Sequence, residues 1–406
     1  MTTPKLRTLS ALAWTIYVCV CHRPSGVNAA ETTCKDPDSL VTVTVYPNGG
    51  GGAGELVTQT RQEWVNTNEN WGHLYTSEGL PLRPDDFTTL QNNTDLYRAP
   101  TKKGTHFVYP LKPIGSKIVI PDVTSPSGIP MELEVLSHSP RVFYVHNFMS
   151  QDETNTLIDY ATSEDNPYKM ARSTGGTHKS WNQGGRGDTL TTRTSMNAFD
   201  ISTPAALAIK RRAFQLLRIP KYKESMADGI QTLRYETAQA YIAHHDYFPP
   251  NQSPDYNWDP AKGGANRFAT VFLYLSDVEY GGQTCFPKAA RLSAEENPGL
   301  VERLGQPPSE QKLQELLKEA GIQEGSWEAK LTRDCYSKFA VPPKKGDAVL
   351  FYSQTPDGHL DPSSLHGAGP VLKGTKWGAN VWVWNACRYS MCKDGMQPAE
   401  EQDFEY

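Results

Sequence analysis

Hydrophobic and polar positions alternate every second residue in several short runs of this chain, the period of a half-buried strand. VTVTVYP from Val41 is the first, and the Gly49 to Gly54 cluster after it reads as a flexible loop. GTHFVYPLKPIGSKIVIP from Gly104 also reads as extended. Further strands are predicted over 232–241, 268–274, 347–352 and 381–384. Helical spacing appears from Ser150 or Gln151 through Ala161, where Asp152 and Glu153 suit the positive end of the helix dipole. A second helix is predicted from Thr203 to Leu217, with Pro204 in its first turn. Between Ala289 and Asp334 lies an insert, read as a surface excursion, whose PPSEQKLQELLKEAG segment forms an amphipathic helix capped by Ser309 and ended by Gly321.

The chemistry gathers near two of these strands. RYETAQAYIAHHDYF from Arg234 holds His244 and Asp246, and SLHGAGPVLKGTKW from Ser364 holds His366. Side chains two apart on a strand share a face, so His244 and Asp246 can reach one ion while His245 points away. Two imidazoles and a carboxylate leave open positions on a ferrous ion. The same set serves hydrolytic zinc, and histidines that merely accept or donate hydrogen bonds are common, so three residues alone leave the metal open. Lys376 stands ten residues after His366 in an apolar, aromatic strand, an unusual place for a residue that normally lies at the surface. A cation there suits the far carboxylate of a chelating 2-oxo acid such as 2-oxoglutarate.

From Pro140 to Trp384, about three-fifths of the chain, the sequence resembles the prolyl 4-hydroxylases of the 2-oxoglutarate and Fe(II)-dependent dioxygenase superfamily, particularly the plant and algal type. Six blocks occur in family order: PRVFYVHNFMSQDE from Pro140, RTSMNAF from Arg193, the Arg234 block, RFATVFLYLSDVEYGGQTCFP from Arg267, KKGDAVLFYSQTPDG from Lys344 and the Ser364 block. The resemblance implies an α+β, mainly β fold, a double-stranded β-helix or jelly roll with flanking N-terminal helices. It implies an enzyme that hydroxylates peptidyl proline to 4-hydroxyproline while 2-oxoglutarate is decarboxylated to succinate, with Fe(II), dioxygen and ascorbate. It casts His244, Asp246 and His366 as metal ligands and Lys376 as the anchor of the 2-oxoglutarate tail, with the hydroxyls of Tyr235 and Thr284 helping to hold it. Arg267, Tyr241 and Arg193 fall at positions that face the peptide or the reacting centre. Two departures stand out: VWVW places Trp384 where relatives carry an imidazole associated with peptide binding, and Gly369 stands where they carry a cysteine. Trp384 therefore raises a second reading, the same chemistry on another residue or a free amino acid. A non-catalytic binding module is the third, disfavoured by the intact ligand set.

At 406 residues the chain has room for one large or two medium domains. Its net charge of −5 offers no basic field for nucleic acid. Lys5 and Arg7 precede an apolar run from Leu9 to Cys21, with a small-residue site near Ala29: a signal peptide over 1–29, or an uncleaved membrane anchor. The expected organisation continues with a β-rich region over 30–135 that matches no family, the dioxygenase domain over 136–390 with its insert 289–334, and an acidic tail over 391–406. The leader places the protein in the secretory pathway, in the endoplasmic reticulum lumen or, if anchored, on a membrane of that pathway. Asn92 and Asn251 head glycosylation sequons. With the leader removed Cys34, Cys285, Cys335, Cys387 and Cys392 remain; Cys387 is near enough to Cys392 to pair, and Cys285 with Cys335 could tie the ends of the insert.

Overall fold

A computed structural model describes residues 36–71, 74–83, 85–173, 193–250 and 252–392. The leader, Cys34, Asn251 and the acidic tail from 393 onward lie outside the described residues. Nine strands form one antiparallel sheet in the order Lys117–Thr124, Pro130–His138, Arg141–His146, Ala348–Tyr352, Arg267–Tyr274, Lys376–Trp384, Ile230–Tyr235, Met196–Asp200 and Ala171–Arg172. Four more, Tyr241–His244, His366–Ala368, Thr284–Ala290 and Lys338–Val341, form a second antiparallel sheet.

The Arg267–Tyr274 strand shows why the two sheets lie against each other. It is apolar on both faces, the pattern of a strand covered on both sides. Val271 and Leu273 share a core with Ile209, Ala213 and Phe214 of the Pro204–Leu216 helix. Phe272 and Tyr274 point the other way and pack with Phe286 and Val341 of the second sheet. Burial of each such aliphatic side chain contributes about 1.5–3 kcal/mol. The space between the sheets is thus a dry interior flanked by helices on one side, which is the jelly roll expected above.

The helices begin where their caps dictate. Ser150 and Glu153 form a reciprocal capping box at the head of Gln151–Thr162. Thr203 accepts from the Ala206 amide at the head of Pro204–Leu216.

Three expectations are corrected. The single strand over 232–241 is two: Ile230–Tyr235 in the large sheet and Tyr241–His244 in the small one. Ala238 adopts a left-handed φ of 67°, and the turn closes through the Glu236 amide on Gln239 Oε1, so the chain crosses from one sheet to the other. The stretch from Gly104 is extended only in its last part, Lys117–Thr124; Pro110 and Pro113 lack the amide a ladder needs. The insert carries three helices rather than one, Pro298–Leu304, Glu310–Glu319 and Trp327–Ser337. Charged residues in the turns of the third hide its period, although Ser326 caps it by accepting from Ala329.

The N-terminal region contributes strands to two sheets. Leu40–Pro47, Glu55–Thr60, Thr94–Arg98 and Leu74–Tyr75 form a sheet of their own over a small core of Val41, Val43, Trp64 and Phe87. Lys117–Thr124 and Pro130–His138 instead extend the large sheet across residue 135. The small sheet is tied to the large body by Asn48, whose Nδ2 donates to the carbonyls of His106 and Pro356 and whose Oδ1 accepts from the Val108 amide.

Candidate metal and co-substrate site

His244 and His366 face each other in register across the small sheet, with ring centroids 4.6 Å apart. The strand ends at His244, so Asp246 reaches the same point from the turn beyond it rather than from the strand pleat. Its Oδ1 lies 3.7 Å from His244 Nε2 and its Oδ2 3.5 Å from His366 Nε2. One ligand atom from each of the three lies within 4.8 Å of the others. His245 turns away, with its Nε2 3.1 Å from the Pro362 carbonyl.

Backbone contacts prepare both imidazoles. Nδ1 of His244 sits 2.9 Å from the Ile242 carbonyl, and Nδ1 of His366 sits 2.9 Å from the Ser364 carbonyl. A carbonyl only accepts, so Nδ1 carries the proton and Nε2 keeps its lone pair for a metal. Burial, reinforced by His366, pushes His244 down to about 3, which keeps it neutral. Burial would raise Asp246, but the two imidazoles, Arg267 and a hydrogen bond from Thr270 outweigh it and hold the carboxyl down at about 2. A neutral His244 and an ionised Asp246 are donor states that suit a divalent iron.

Lys376 occupies the dry interior. It is fully buried, and among the described residues its Nζ has no hydrogen-bond partner. Its register partner is Tyr235, and the rings of Phe272, Tyr235 and Tyr274 lie 5.0, 5.6 and 5.9 Å from Nζ. Gly282, at φ 68°, lets the backbone pass close by; a Cβ there would stand 3.3 Å from Lys376 Cδ. Thr284 closes the same space, its Oγ1 accepting from the Tyr274 hydroxyl at 2.9 Å. An unpaired buried amine is costly unless an anion meets it, and here it lies between hydroxyl-bearing side chains that suit a carboxylate.

Burial lowers the Lys376 ammonium to about 7. A carboxylate brought against it restores the charged form, so above that pH binding of 2-oxoglutarate takes up a proton, and affinity falls as pH rises through it. Calorimetry in buffers of differing ionisation heat is expected to read about one proton taken up at pH ~8.5 and nearly none at pH ~6.

The substrate-side residues divide. Tyr241 stacks on His244 with ring centroids 3.8 Å apart, and the Arg193 guanidinium lies 4.7 Å over the Tyr241 ring while donating to Ser195 and Gln231. Both therefore border the triad. Arg267 is largely taken up by Asp228, at 2.9 Å, and lies 3.7 Å over the Trp382 ring. Trp384 is corrected as a substrate contact: it is 0% exposed, stacks on Phe248, and donates Nε1–H to Asp228. Arg388 takes the other Asp228 oxygen at 2.6 Å, so one carboxylate ties together two guanidiniums and an indole.

Sequence reasoning missed Thr270, Asp228 and Arg388. Thr270 carried a signal, the one aliphatic hydroxyl inside the apolar run RFATVFLY; Asp228 and Arg388 sit in loops with no periodicity to mark them. The disulfides Cys285–Cys335 and Cys387–Cys392 are the two pairings considered above. Cys335 also accounts for Gly369, where a Cβ would stand 2.6 Å from its sulfur.

Comparison with known proteins agrees with this geometry. The family model of the 2OG-Fe(II) oxygenase superfamily matches residues 230–384, which span all three triad residues and Lys376. Probable prolyl 4-hydroxylase 3 of Arabidopsis thaliana is 33% identical over 258 residues, covering 62% of this chain and 71% of the relative. Prolyl 4-hydroxylase 5 of the same plant is 34% identical over 252 residues, covering 62% and 70%. Among solved structures, a viral collagen prolyl hydroxylase from Paramecium Bursaria Chlorella virus-1 aligns over 60% of this chain and 95% of its own, at 18% identity and a TM-score of 0.32.

Proposed function

The chain belongs to the prolyl 4-hydroxylases of the 2OG-Fe(II) oxygenase superfamily, and from that membership we propose that it hydroxylates C4 of proline within polypeptides of the secretory pathway. Fe(II) with 2-oxoglutarate and dioxygen supplies the chemistry: one oxygen atom enters succinate as carbon dioxide is lost, and the other enters the prolyl C–H bond. The observation that carries the reading is the buried Lys376 amine, without a hydrogen-bond partner among the described residues, in the same interior as the His244, Asp246 and His366 donors. A metal triad alone would suit hydrolysis as well; a cation in a dry pocket beside it suits a 2-oxo acid.

The residues divide the work in this proposal. His244, Asp246 and His366 hold the metal, and Lys376 binds the far carboxylate of 2-oxoglutarate with Tyr235 and Thr284 beside it. Phe272 and Tyr274 exclude water from that end. Tyr241 and Arg193 form the wall against which the target proline is oriented, so that positioning rather than proton transfer is the protein's contribution. The secretory setting is supported by two disulfides, which persist in oxidising compartments, and by Asn92, exposed in a sequon.

The test is succinate release from the purified chain with ferrous iron, ascorbate and 2-oxoglutarate across proline-rich, collagen-like and proline-free peptides, with 4-hydroxyproline read by mass. Turnover is expected with proline-containing peptides alone. Turnover confined to proline-free substrates would overturn the assignment.

A further inference from the structure

Thr270 stands in the middle of the Arg267–Tyr274 strand, is 0% exposed, and faces Trp382 across the sheet. A hydroxyl in so apolar a strand is costly unless it is hydrogen-bonded, and valine would fill the same volume without that cost. The hydroxyl has one strong contact: Oγ1 lies 2.6 Å from Asp246 Oδ2. The Thr270 hydroxyl is the donor and the carboxylate oxygen the acceptor. Asp246 Oδ1 faces His244 Nε2 at 3.7 Å, and Oδ2, besides accepting from Thr270, lies 3.5 Å from His366 Nε2.

We propose that Thr270 is a positioning residue for the metal: its hydroxyl holds Oδ2 and fixes the rotation of the Asp246 carboxylate, so that the two oxygens stay aimed at His244 Nε2 and His366 Nε2, 3.7 and 3.5 Å away. A carboxylate free to rotate would lose that aim, and the metal that His244, Asp246 and His366 would hold would be bound less tightly. The inference rests on the metal-binding reading of the triad. Outer partners of metal ligands typically govern affinity by about 10–100-fold, so Thr270→Val is expected to weaken metal binding by that factor, whereas Thr270→Ser, which keeps the hydroxyl, stays within about threefold of the parent.

The experiment titrates metal-free full-length chain with Mn(II) by calorimetry, without turnover, and follows thermal unfolding of each variant. Should the parent chain bind no Mn(II), the reading of the triad fails. Should the parent bind and Thr270→Val bind equally well, that reading stands and the role given to Thr270 fails, even if the variant melts earlier as a packing defect would make it do. If Thr270→Val does not fold, the serine variant decides: parent-like affinity supports the hydroxyl's role, and a tenfold loss assigns the effect to the missing methyl and overturns it.

Discussion

Lys376→Ala is expected to lose about 30- to 3,000-fold in affinity for 2-oxoglutarate. Truncating one partner of a buried charge pair costs about 2–5 kcal/mol, and each 1.4 kcal/mol is tenfold. The rings of Phe272, Tyr235 and Tyr274 beside Nζ carry no positive charge that could replace the ammonium. The loss should appear in the KM for 2-oxoglutarate during succinate release and in direct calorimetric titration, while Mn(II) affinity of the metal-free chain stays near that of the parent because Lys376 is not a ligand. A parent-like KM would place the co-substrate elsewhere.

Removing a metal ligand should be more severe. His366→Ala leaves two donors, and coupled turnover is expected to fall by about a thousandfold or more, roughly 4 kcal/mol of transition-state stabilisation. The imidazole packs 4.4 Å from the Phe351 ring and is 7% exposed, so alanine also opens a small void. Far-UV circular dichroism separates that effect from loss of the metal: the variant should keep its strand signal while its Mn(II) titration flattens. Succinate release at the parent rate would show that the triad is not the reaction centre.

Both predictions concern residues that the chain announces locally. His244 and Asp246 lie two apart in a strand-like run, His366 opens a short strand, and Lys376 interrupts an apolar one; each is conspicuous because a polar group stands where the pattern calls for burial. The capped helices were equally legible, since Ser150 with Glu153 and Thr203 with Pro204 act within one turn of chain. Reading failed where partners are far apart in sequence. Trp384 looked like a substrate contact, yet it binds Asp228, 156 residues away. Nothing in the local pattern around SMADGI marks that aspartate as the hub of a buried cluster.

The N-terminal region teaches the same lesson. Val41, Val43 and Val45 alternate correctly as a strand. Which strands belong to the small sheet and which extend the large one depended on pairing: Pro130–His138 joins the large sheet through Arg141–His146, beyond the boundary that family resemblance suggested.

By itself the sequence determined the ligand types, the lysine ten residues on, the order of the family blocks and most element positions, because all of these are set by side-chain chemistry and by periodicities of two or 3.6 residues. Only the tertiary structure decided that His244 and His366 pair in register, that Asp246 arrives from a turn with Thr270 on one oxygen, and that Trp384 is buried against Asp228 rather than presented to a substrate. Those facts depend on which strands meet across the sheets and on which buried polar groups find partners, free-energy balances struck between residues tens to hundreds of positions apart.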